Sequence, residues 1–377
     1  MQNSFRKSSV IAFYGAIMAA LGIYRCSKTN SSDSHSQAVR PTEKSLKSRT
    51  SEITLENLII SNKDPYFCYA DKGKDSIIRE FASLADSQGN FIFNCEELFA
   101  YQKEGGDFQY AKSLVSFKDQ NEKALFTGRD IFAYKGAGGT IEYATKFLSA
   151  KDPEGRNIFT GAQLPLLYRL GLDLPEMINF KDTSKPNALF ICPTNDNNPS
   201  SNGLYKEGVF RNDLFLDFFK GVKKAYDVKI IVASKEDEIY QPLLLPTNFE
   251  YLVLAGHGNA TSLVLGSKDT FYNQDLPDEK LSLDISDTEF EKYLQNLSPK
   301  AVIFLYSCET GKGGKAEKNL ANTISGWAKN REVIAPTEVL VVGQVNVHSF
   351  YPFEVTLKNA EGKDDITYRA GQKFVPF

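Results

Sequence analysis

The chain contains few of the residues that build metal sites and disulfide frameworks. Its 377 residues include three histidines, His35, His257 and His348, and five cysteines, none of which form a CxxC pair. So few cysteines exclude a disulfide scaffold, and the missing CxxC pairs exclude the most common zinc sites. Because the three histidines lie far apart in sequence, a reaction that uses an imidazole has very few candidate residues.

An excess of positive charge is also missing. The 44 Lys and Arg residues are matched by 47 Asp and Glu residues, which gives a net charge of −3. Since proteins that bind duplex nucleic acid usually carry a clear basic excess, we expect no nucleic-acid partner. At roughly 150 residues per domain the length suggests about two domains. A hydrophobic content of 42% supplies a core for both.

Residues 1–25 are typical of a targeting segment. A basic start precedes Ser9–Tyr24, an uncharged and mostly apolar run that ends at Arg25. As a helix this run reaches only about 24 Å, short of a hydrocarbon core of about 30 Å. We therefore predict a signal peptide or, equally, an uncleaved anchor that contacts a membrane. Residues 26–52 are predicted to be a flexible linker. Either alternative places the rest of the chain outside the cytoplasm, as a secreted, periplasmic or membrane-anchored protein.

The region 53–184 carries a sequence repeat with a period of about 33 residues, a length typical of stacked structural units. Three aspartates and three phenylalanines recur at this fixed spacing: Asp86, Asp119, Asp152, Phe93, Phe126 and Phe159. Apolar residues at helical spacing precede each aspartate, and a second apolar segment follows each loop. We therefore predict a helical repeat domain in which each repeat consists of a helix, a loop and a short helix.

Two known repeat types share features with this pattern. The period matches ankyrin repeats, whose TPLH signature is absent, and the helix–loop–helix layout resembles EF-hands. Positions 1, 3, 5 and 12 of the first loop, where oxygens could surround Ca²⁺, are occupied by Asp86, Gln88, Asn90 and Glu97. However, Phe91 replaces the glycine of position 6, and Lys123 and Arg156 place cations at position 5 of the later loops. We therefore favour a degenerate repeat that binds no metal and holds a protein partner.

The region 185–377 alternates apolar, β-rich runs with helical segments. The runs are Ala188–Cys192, Val228–Ala233, Tyr251–Ala255, Ala301–Tyr306, Val333–Ala335 and Val339–Val347. The helical segments are Leu214–Tyr226, Asp287–Leu297 and Lys315–Trp327. This alternation is typical of an α/β fold with a mostly parallel sheet flanked by helices. Phe353–Leu357 and Ile366–Tyr368 are predicted to pair as a terminal hairpin.

A histidine and a cysteine follow two of the predicted strands. Tyr251–Ala255 leads to Gly256-His257-Gly258, and Ala301–Tyr306 leads to Ser307-Cys308. If these strands are neighbours in a parallel sheet, their carboxyl ends place both side chains at one edge. An imidazole beside a thiol can take its proton, and the thiolate is the useful nucleophile. The N–H groups of Gly258 and Cys308 could then stabilise an oxyanion.

These strand ends resemble the catalytic segments of the caspase-like cysteine peptidases, the group that includes caspases, metacaspases, legumain, clostripain and gingipain. In that group four apolar residues precede His-Gly, and four apolar residues and one further residue precede Cys. The 51 residues from His257 to Cys308 are close to the roughly 50 of caspases. The resemblance covers about Pro186–Phe377. Since Tyr306-Ser307 precede the cysteine, the caspase Gln-Ala-Cys-X-Gly signature is absent, which implies a bacterial-type relative.

By this resemblance, Cys308 is the nucleophile, His257 is the general acid and base, and Gly258 with Cys308 supplies the oxyanion donors. The implied enzyme is a cysteine endopeptidase that needs no cofactor and acts on a protein or peptide. The loops that form the S1 pocket in this group contain three acids here, which favour a basic P1 residue: Asp196, Glu309 and Glu338. Two alternatives remain: an inactive caspase-like fold that serves as a protein-interaction module, and a calcium-binding helix–loop–helix protein with Asp86, Asn90 and Glu97 as ligands.

Overall fold

The computed structural model describes residues 80–81, 83–86, 89, 91–178, 180, 183–194, 210, 213–266, 277–329 and 331–371. The segments interpreted as a signal peptide or anchor (1–25) and a linker (26–52) lie outside this part of the chain. Within it, no helix combines the length and the apolar character needed to cross a membrane. Contacts divide the chain into two compact units, one that ends at Tyr168 and a second whose described part begins at Arg169. The sequence suggested this boundary at residue 184.

Short helices alternate with loops in the unit that ends at Tyr168. They are α1 (Cys95–Lys103), α2 (Phe108–Val115), α3 (Gly128–Gly136), α4 (Ile141–Leu148) and α5 (Leu164–Arg169). Two of the helices begin with capping boxes, in which a side chain at each end of the first turn accepts a main-chain N–H. These boxes pair Asn94 with Glu97 at α1 and, one repeat later, Thr127 with Asp130 at α3.

The loops before α1, α3 and α5 share one backbone arrangement. An isolated antiparallel bridge closes each loop, and successive bridges lie one repeat apart: Ala85–Phe91, Lys118–Ala124 and Lys151–Asn157. The Gly128 N–H donates to the Ile92 carbonyl, and the Gly161 N–H donates to the Leu125 carbonyl, both at 2.8 Å. Each of these bonds connects one loop to the end of the corresponding loop in the next repeat. The three phenylalanines that recur with the sequence repeat are all buried.

The second unit is built around a six-stranded sheet. Its strands are β1 (Asn187–Pro193), β2 (Asp227–Ala233), β3 (Phe249–Ala255), β7 (Val302–Tyr306), β8 (Glu332–Pro336) and β11 (Thr367–Ala370). The order across the sheet is β11-β8-β7-β3-β1-β2. Every neighbouring pair is parallel except β11 with β8. The prediction of an α/β fold with a mainly parallel sheet flanked by helices is therefore confirmed.

Helices and short strands surround this sheet. The helices are α6 (Leu174–Ile178), α7 (Asp213–Ala225), α8 (Asp237–Tyr240), α9 (Phe290–Leu294) and α10 (Leu320–Trp327). A small antiparallel sheet contains β4 (His257–Gly258), β5 (Ser262–Val264) and β6 (Ser282–Asp284). A separate hairpin contains β9 (Val345–Phe350) and β10 (Phe353–Leu357). Single 3-10 turns cover Gln241–Leu244, Asp278–Leu281, Gly314–Ala316 and Val342–Gln344.

The core has an aliphatic and an aromatic side because successive strand residues point to opposite faces of the sheet. Leu252, Leu254 and Leu305 belong to a mainly aliphatic cluster that includes buried residues of α9 and α10. On the other face, Phe304 and Tyr306 lie 5.9 and 5.3 Å from the ring of Phe218 in α7, measured between ring centroids. Full burial of each such side chain stabilises the fold by about 1.5–3 kcal/mol. This packing holds β3 and β7 rigidly at the centre of the sheet.

Four sequence-based predictions differ from the structure in this unit, and one of them is the helix Asp287–Leu297, which is limited to Phe290–Leu294. The predicted hairpin of Phe353–Leu357 with Ile366–Tyr368 is wrong, because β10 pairs with β9 and β11 pairs with β8 instead. β11 covers the edge of the main sheet, where Arg369 binds Glu332 at 2.7 Å. The run Val339–Val347 becomes strand only from Val345. The predicted helix Lys315–Trp327 begins at Leu320, because the Asn319 side chain caps it by accepting the Asn322 N–H.

Candidate active site

β3 and β7 are paired neighbours, so their carboxyl ends lie side by side. Their register runs from Tyr251–Val302 to Ala255–Tyr306, the last residue of each strand. Directly beyond this last pair of residues, the Gly256 N–H donates to the Tyr306 carbonyl at 3.2 Å. The segments that carry His257 and Cys308 therefore start from adjacent points at one edge of the sheet.

Beyond this point the two segments remain in contact. His257 and Gly258 form β4, which leaves the main sheet and pairs with β5. A Cβ atom built on Gly258 would lie 2.1 Å from the Ser307 Oγ, 2.9 Å from the Ser262 carbonyl oxygen and 3.3 Å from the Cys308 carbonyl oxygen. Only glycine fits at position 258, because any side chain would overlap these atoms. The backbone of Gly258 thus lies directly against Ser307 and Cys308.

The Cys308 thiol is covered by the segment that follows β8. Cys308 is only 9% exposed, and its Sγ lies 3.7 Å from the Leu340 carbonyl oxygen, to which it donates. The next residue, Glu309, donates its N–H to the Glu338 carbonyl at 2.9 Å. Glu309 has a φ of +56°, a left-handed conformation that costs a residue other than glycine about 1–2 kcal/mol. Backbone strain of this kind is often found at functional sites.

The aromatic ring of Phe210 packs against the imidazole of His257. The Phe210 ring lies edge-on to it, with 5.8 Å between the ring centroids, and also contacts the Tyr306 ring at 6.0 Å. His257 itself is half-buried. Burial raises the pKa of the Tyr306 hydroxyl, so this group stays neutral and is not a base for the site. By residue type, the imidazole of His257 can transfer a proton and the thiol of Cys308 can act as a nucleophile.

Two of the three predicted substrate-binding acids can be located. Glu309 forms an ion pair with Lys312 at 2.6 Å, and Glu338 is exposed. Asp196 lies outside the described residues. Recognition of a basic P1 side chain needs a buried carboxylate without another cation, and neither Glu309 nor Glu338 has that environment.

The metal-ligand candidates lie in the loop before α1 and in the first turn of α1. Asp86 and Glu97 are buried there, and Asn90 lies outside the described part of the chain. One Glu97 oxygen accepts the Asn94 N–H at 3.0 Å as part of the capping box. Across the described ranges, no group of three or more His, Cys, Asp or Glu side chains could hold a metal ion.

The corresponding aspartates of the later loops bind the backbone. The Oδ1 of Asp119 accepts the N–H groups of Asn121 and Lys123 at 2.8 and 2.9 Å. The Oδ1 of Asp152 accepts those of Glu154 and Arg156 at 3.0 and 2.8 Å. In these two loops the recurring aspartate is thus explained by loop closure, because its side chain satisfies two main-chain donors in a tight turn.

Sequence reasoning did not identify Leu340, Phe210 or Ser307 as neighbours of the site. Leu340 and Phe210 lie far from Cys308 along the chain and carry no motif. Ser307 directly precedes Cys308, and this adjacency is the one feature of the sequence that could have identified it as a residue near the site.

Residues 228–352 match a protein family described as Domain of unknown function (DUF8616). The match begins in β2, ends just before β10 and contains both His257 and Cys308. No curated protein and no solved structure matches the chain.

Proposed function

We propose that the protein is a cysteine endopeptidase of the caspase-like type, with Cys308 as nucleophile and His257 as general acid and base. The observation that carries this proposal is the contact of Gly258 with Ser307 and Cys308 beyond the paired ends of β3 and β7. It supports a site in which the two segments act on one substrate carbonyl. The resemblance of both strand ends to caspase-like peptidases supports the same assignment.

The proposed reaction passes through a covalent acyl-enzyme. The proton of the Cys308 thiol moves to His257, and the thiolate attacks the carbonyl carbon of the scissile peptide bond. The N–H groups of Gly258 and Cys308 stabilise the oxyanion that develops. The C–N bond then breaks, and His257 returns the proton to the leaving amine. Water, deprotonated by His257, attacks the thioester, which releases a carboxylic acid and restores the thiol.

The remaining assignments form part of the same proposal. The peptidase domain lies in the second unit and includes residues 185–377, and its substrate is a protein or peptide. The helical repeat domain of the region 53–184, whose compact unit ends at Tyr168, holds a protein partner. With residues 1–25 as a signal peptide or membrane anchor, the folded domains act outside the cytoplasm. No cofactor takes part in the reaction.

The burial of the Cys308 thiol against Leu340 favours a second candidate function. A caspase-like fold whose thiol is covered could be inactive and serve as a protein-interaction module. In the peptidase proposal, by contrast, the structure with a covered Cys308 thiol is a latent form of the enzyme. A substrate must then displace the segment around Leu340 to reach the thiol. A calcium-binding function gains no support, because the Arg156 side chain binds Asp152 at 2.6 Å in the third loop.

Chemical labelling of the full-length protein tests the peptidase proposal. Peptidyl acyloxymethyl ketones with Arg, Asn, Asp or Leu at P1 are added, and mass spectrometry locates the adduct. We expect the adduct on Cys308, its loss in His257→Ala, and its retention in Cys192→Ala, which removes a buried thiol of β1. If Cys308 remains unlabelled by every probe and reacts with iodoacetamide no faster than Cys192, the interaction-module alternative is favoured.

A further inference from the structure

Ser307 carries a buried hydroxyl that the fold does not use. The residue is 2% exposed, and its Oγ has no hydrogen-bond partner among the described residues. Buried hydroxyl groups in native proteins almost always have a partner, because leaving one unsatisfied is costly. The Ser307 hydroxyl therefore lowers the stability of the fold, and no contact among the described residues gives it a structural role.

The position of this hydroxyl relates it to the candidate site. It is the nearest atom to the point where a Gly258 Cβ would stand, at 2.1 Å. Ser307 also directly precedes Cys308, whose carbonyl oxygen lies 3.3 Å from the same point. The hydroxyl thus lies beside the residue whose N–H is one proposed oxyanion donor and next to the residue that supplies the other.

A missing partner alone would not single out Ser307. The hydroxyls of Tyr251, Tyr306 and Thr310 are also buried and lack a partner in the described part of the chain. The two tyrosines belong to the aromatic side of the core, where Tyr251 stacks on Tyr226 and Tyr306 on Phe218. Of these four hydroxyls, that of Ser307 is the one found against Gly258.

We propose that the Ser307 hydroxyl is a third oxyanion donor, directed at the carbonyl oxygen of the bound peptide substrate. This inference rests on the proposed peptidase function. The hydroxyl donates a hydrogen bond as negative charge develops on that oxygen, and it transfers no proton. Such a donor is favourable when a substrate supplies the missing acceptor, because a hydrogen bond to an oxyanion is stronger in a site that excludes water.

Ser307→Ala tests the inference, with Thr310→Val as the matched control. Both changes remove a buried hydroxyl without a partner in the described part of the chain, and both lie in the loop that follows β7. Peptidyl coumarylamides with Arg, Asn, Asp or Leu at P1 report amide hydrolysis, and iodoacetamide reports the reactivity of the Cys308 thiol. Alkylation by iodoacetamide displaces iodide and forms no oxyanion, so it does not need the proposed donor.

We expect Ser307→Ala to lower kcat by about 100-fold, the usual effect of removing one oxyanion donor, with little change in KM. The iodoacetamide rate and the melting temperature should not fall, and Thr310→Val should keep kcat within about twofold. If Ser307→Ala hydrolyses the coumarylamides as fast as the wild type, the inference is wrong. A parallel loss of hydrolysis and alkylation would also overturn it, since that indicates a displaced Cys308. A wild-type chain without hydrolysis and with an unreactive Cys308 would instead contradict the peptidase function itself.

Discussion

Gly258→Ala should inactivate the protein without unfolding it. The added methyl group would lie 2.1 Å from the Ser307 Oγ and 2.9 Å from the Ser262 carbonyl oxygen. Ordinary contacts of a carbon atom are about 3.5 Å or longer, so the Ser307 side chain must move by about 1 Å or more. The Ser262 oxygen belongs to the backbone of β5, which pairs with β4, so the strain also shifts β4. A displacement of about 1 Å at reacting groups costs about 100-fold in rate.

Gly326→Ala is the matched control for this prediction. Gly326 lies in α10 of the same unit, and no atom comes within 4 Å of its Cβ position. That change should stabilise the fold by up to about 1 kcal/mol, because alanine favours a helix more than glycine does. Overpacking in Gly258→Ala should cost about 1–3 kcal/mol. Coumarylamide hydrolysis and thermal melting measure both variants. The reasoning is refuted if Gly258→Ala hydrolyses the amides at the wild-type rate, or if Gly326→Ala loses activity to the same extent.

Three further predictions concern stability. Burial, together with the negative charge of Glu236, raises the pKa of Asp287 to about 7. The folded state therefore holds a proton on Asp287 that the unfolded state releases above about pH 4, and the stability from this group falls as pH rises from about 4 to 7. Asp287→Asn should remove that loss of stability. The melting temperature of the variant minus that of the wild type should therefore be larger at pH 8 than at pH 5, and an equal difference at both pH values would contradict this. Arg331 is buried and donates to three main-chain carbonyls, so Arg331→Met should destabilise the fold by about 2–3 kcal/mol in urea unfolding, and a loss below about 0.5 kcal/mol would disprove that role. Asp119→Ala should lower the melting temperature to the same extent with and without Ca²⁺, because two main-chain N–H groups lose their acceptor. If Ca²⁺ raises the melting temperature of the wild type and not that of Asp119→Ala, Asp119 is a metal ligand and this explanation is wrong.

The buried strands could be predicted from the sequence, and the pairing of the outer strands could not. Ala188–Cys192, Val228–Ala233 and Tyr251–Ala255 are continuous β-rich apolar runs, because a central parallel strand is covered on both faces, and all three lie within observed strands. β10 pairs with β9, the strand directly before it, across the turn at Tyr351-Pro352, whereas β11 pairs with β8, which lies far earlier in the chain. The apolar pattern of Phe353–Leu357 does not distinguish these partners, so the predicted hairpin with the last strand was wrong.

The same limit applies to the candidate site. That His257 and Cys308 each follow the carboxyl end of a strand could be predicted, but the pairing of these two strands was only a condition in the sequence and comes from the structure. The contacts of Cys308 with Leu340 and of His257 with Phe210 depend on how loops return across that edge. The aspartates that recur with the sequence repeat had two interpretations in the sequence, metal ligand or loop closure. The hydrogen bonds that Asp119 and Asp152 accept from main-chain N–H groups favour loop closure in those two loops, and the sequence pattern does not contain this information.

The hydrogen bonds from Gly128 to Ile92 and from Gly161 to Leu125 have a mechanical consequence. Each spans little more than one repeat, so it connects a loop only to the next one along the chain. A force that pulls the two ends of this unit apart would load these links in series, and each could rupture while the other remains intact. Extension would then proceed in steps of one repeat, each releasing about 110 Å of chain. The mainly parallel sheet, whose strands are joined side by side across distant parts of the sequence, would instead yield in a single event.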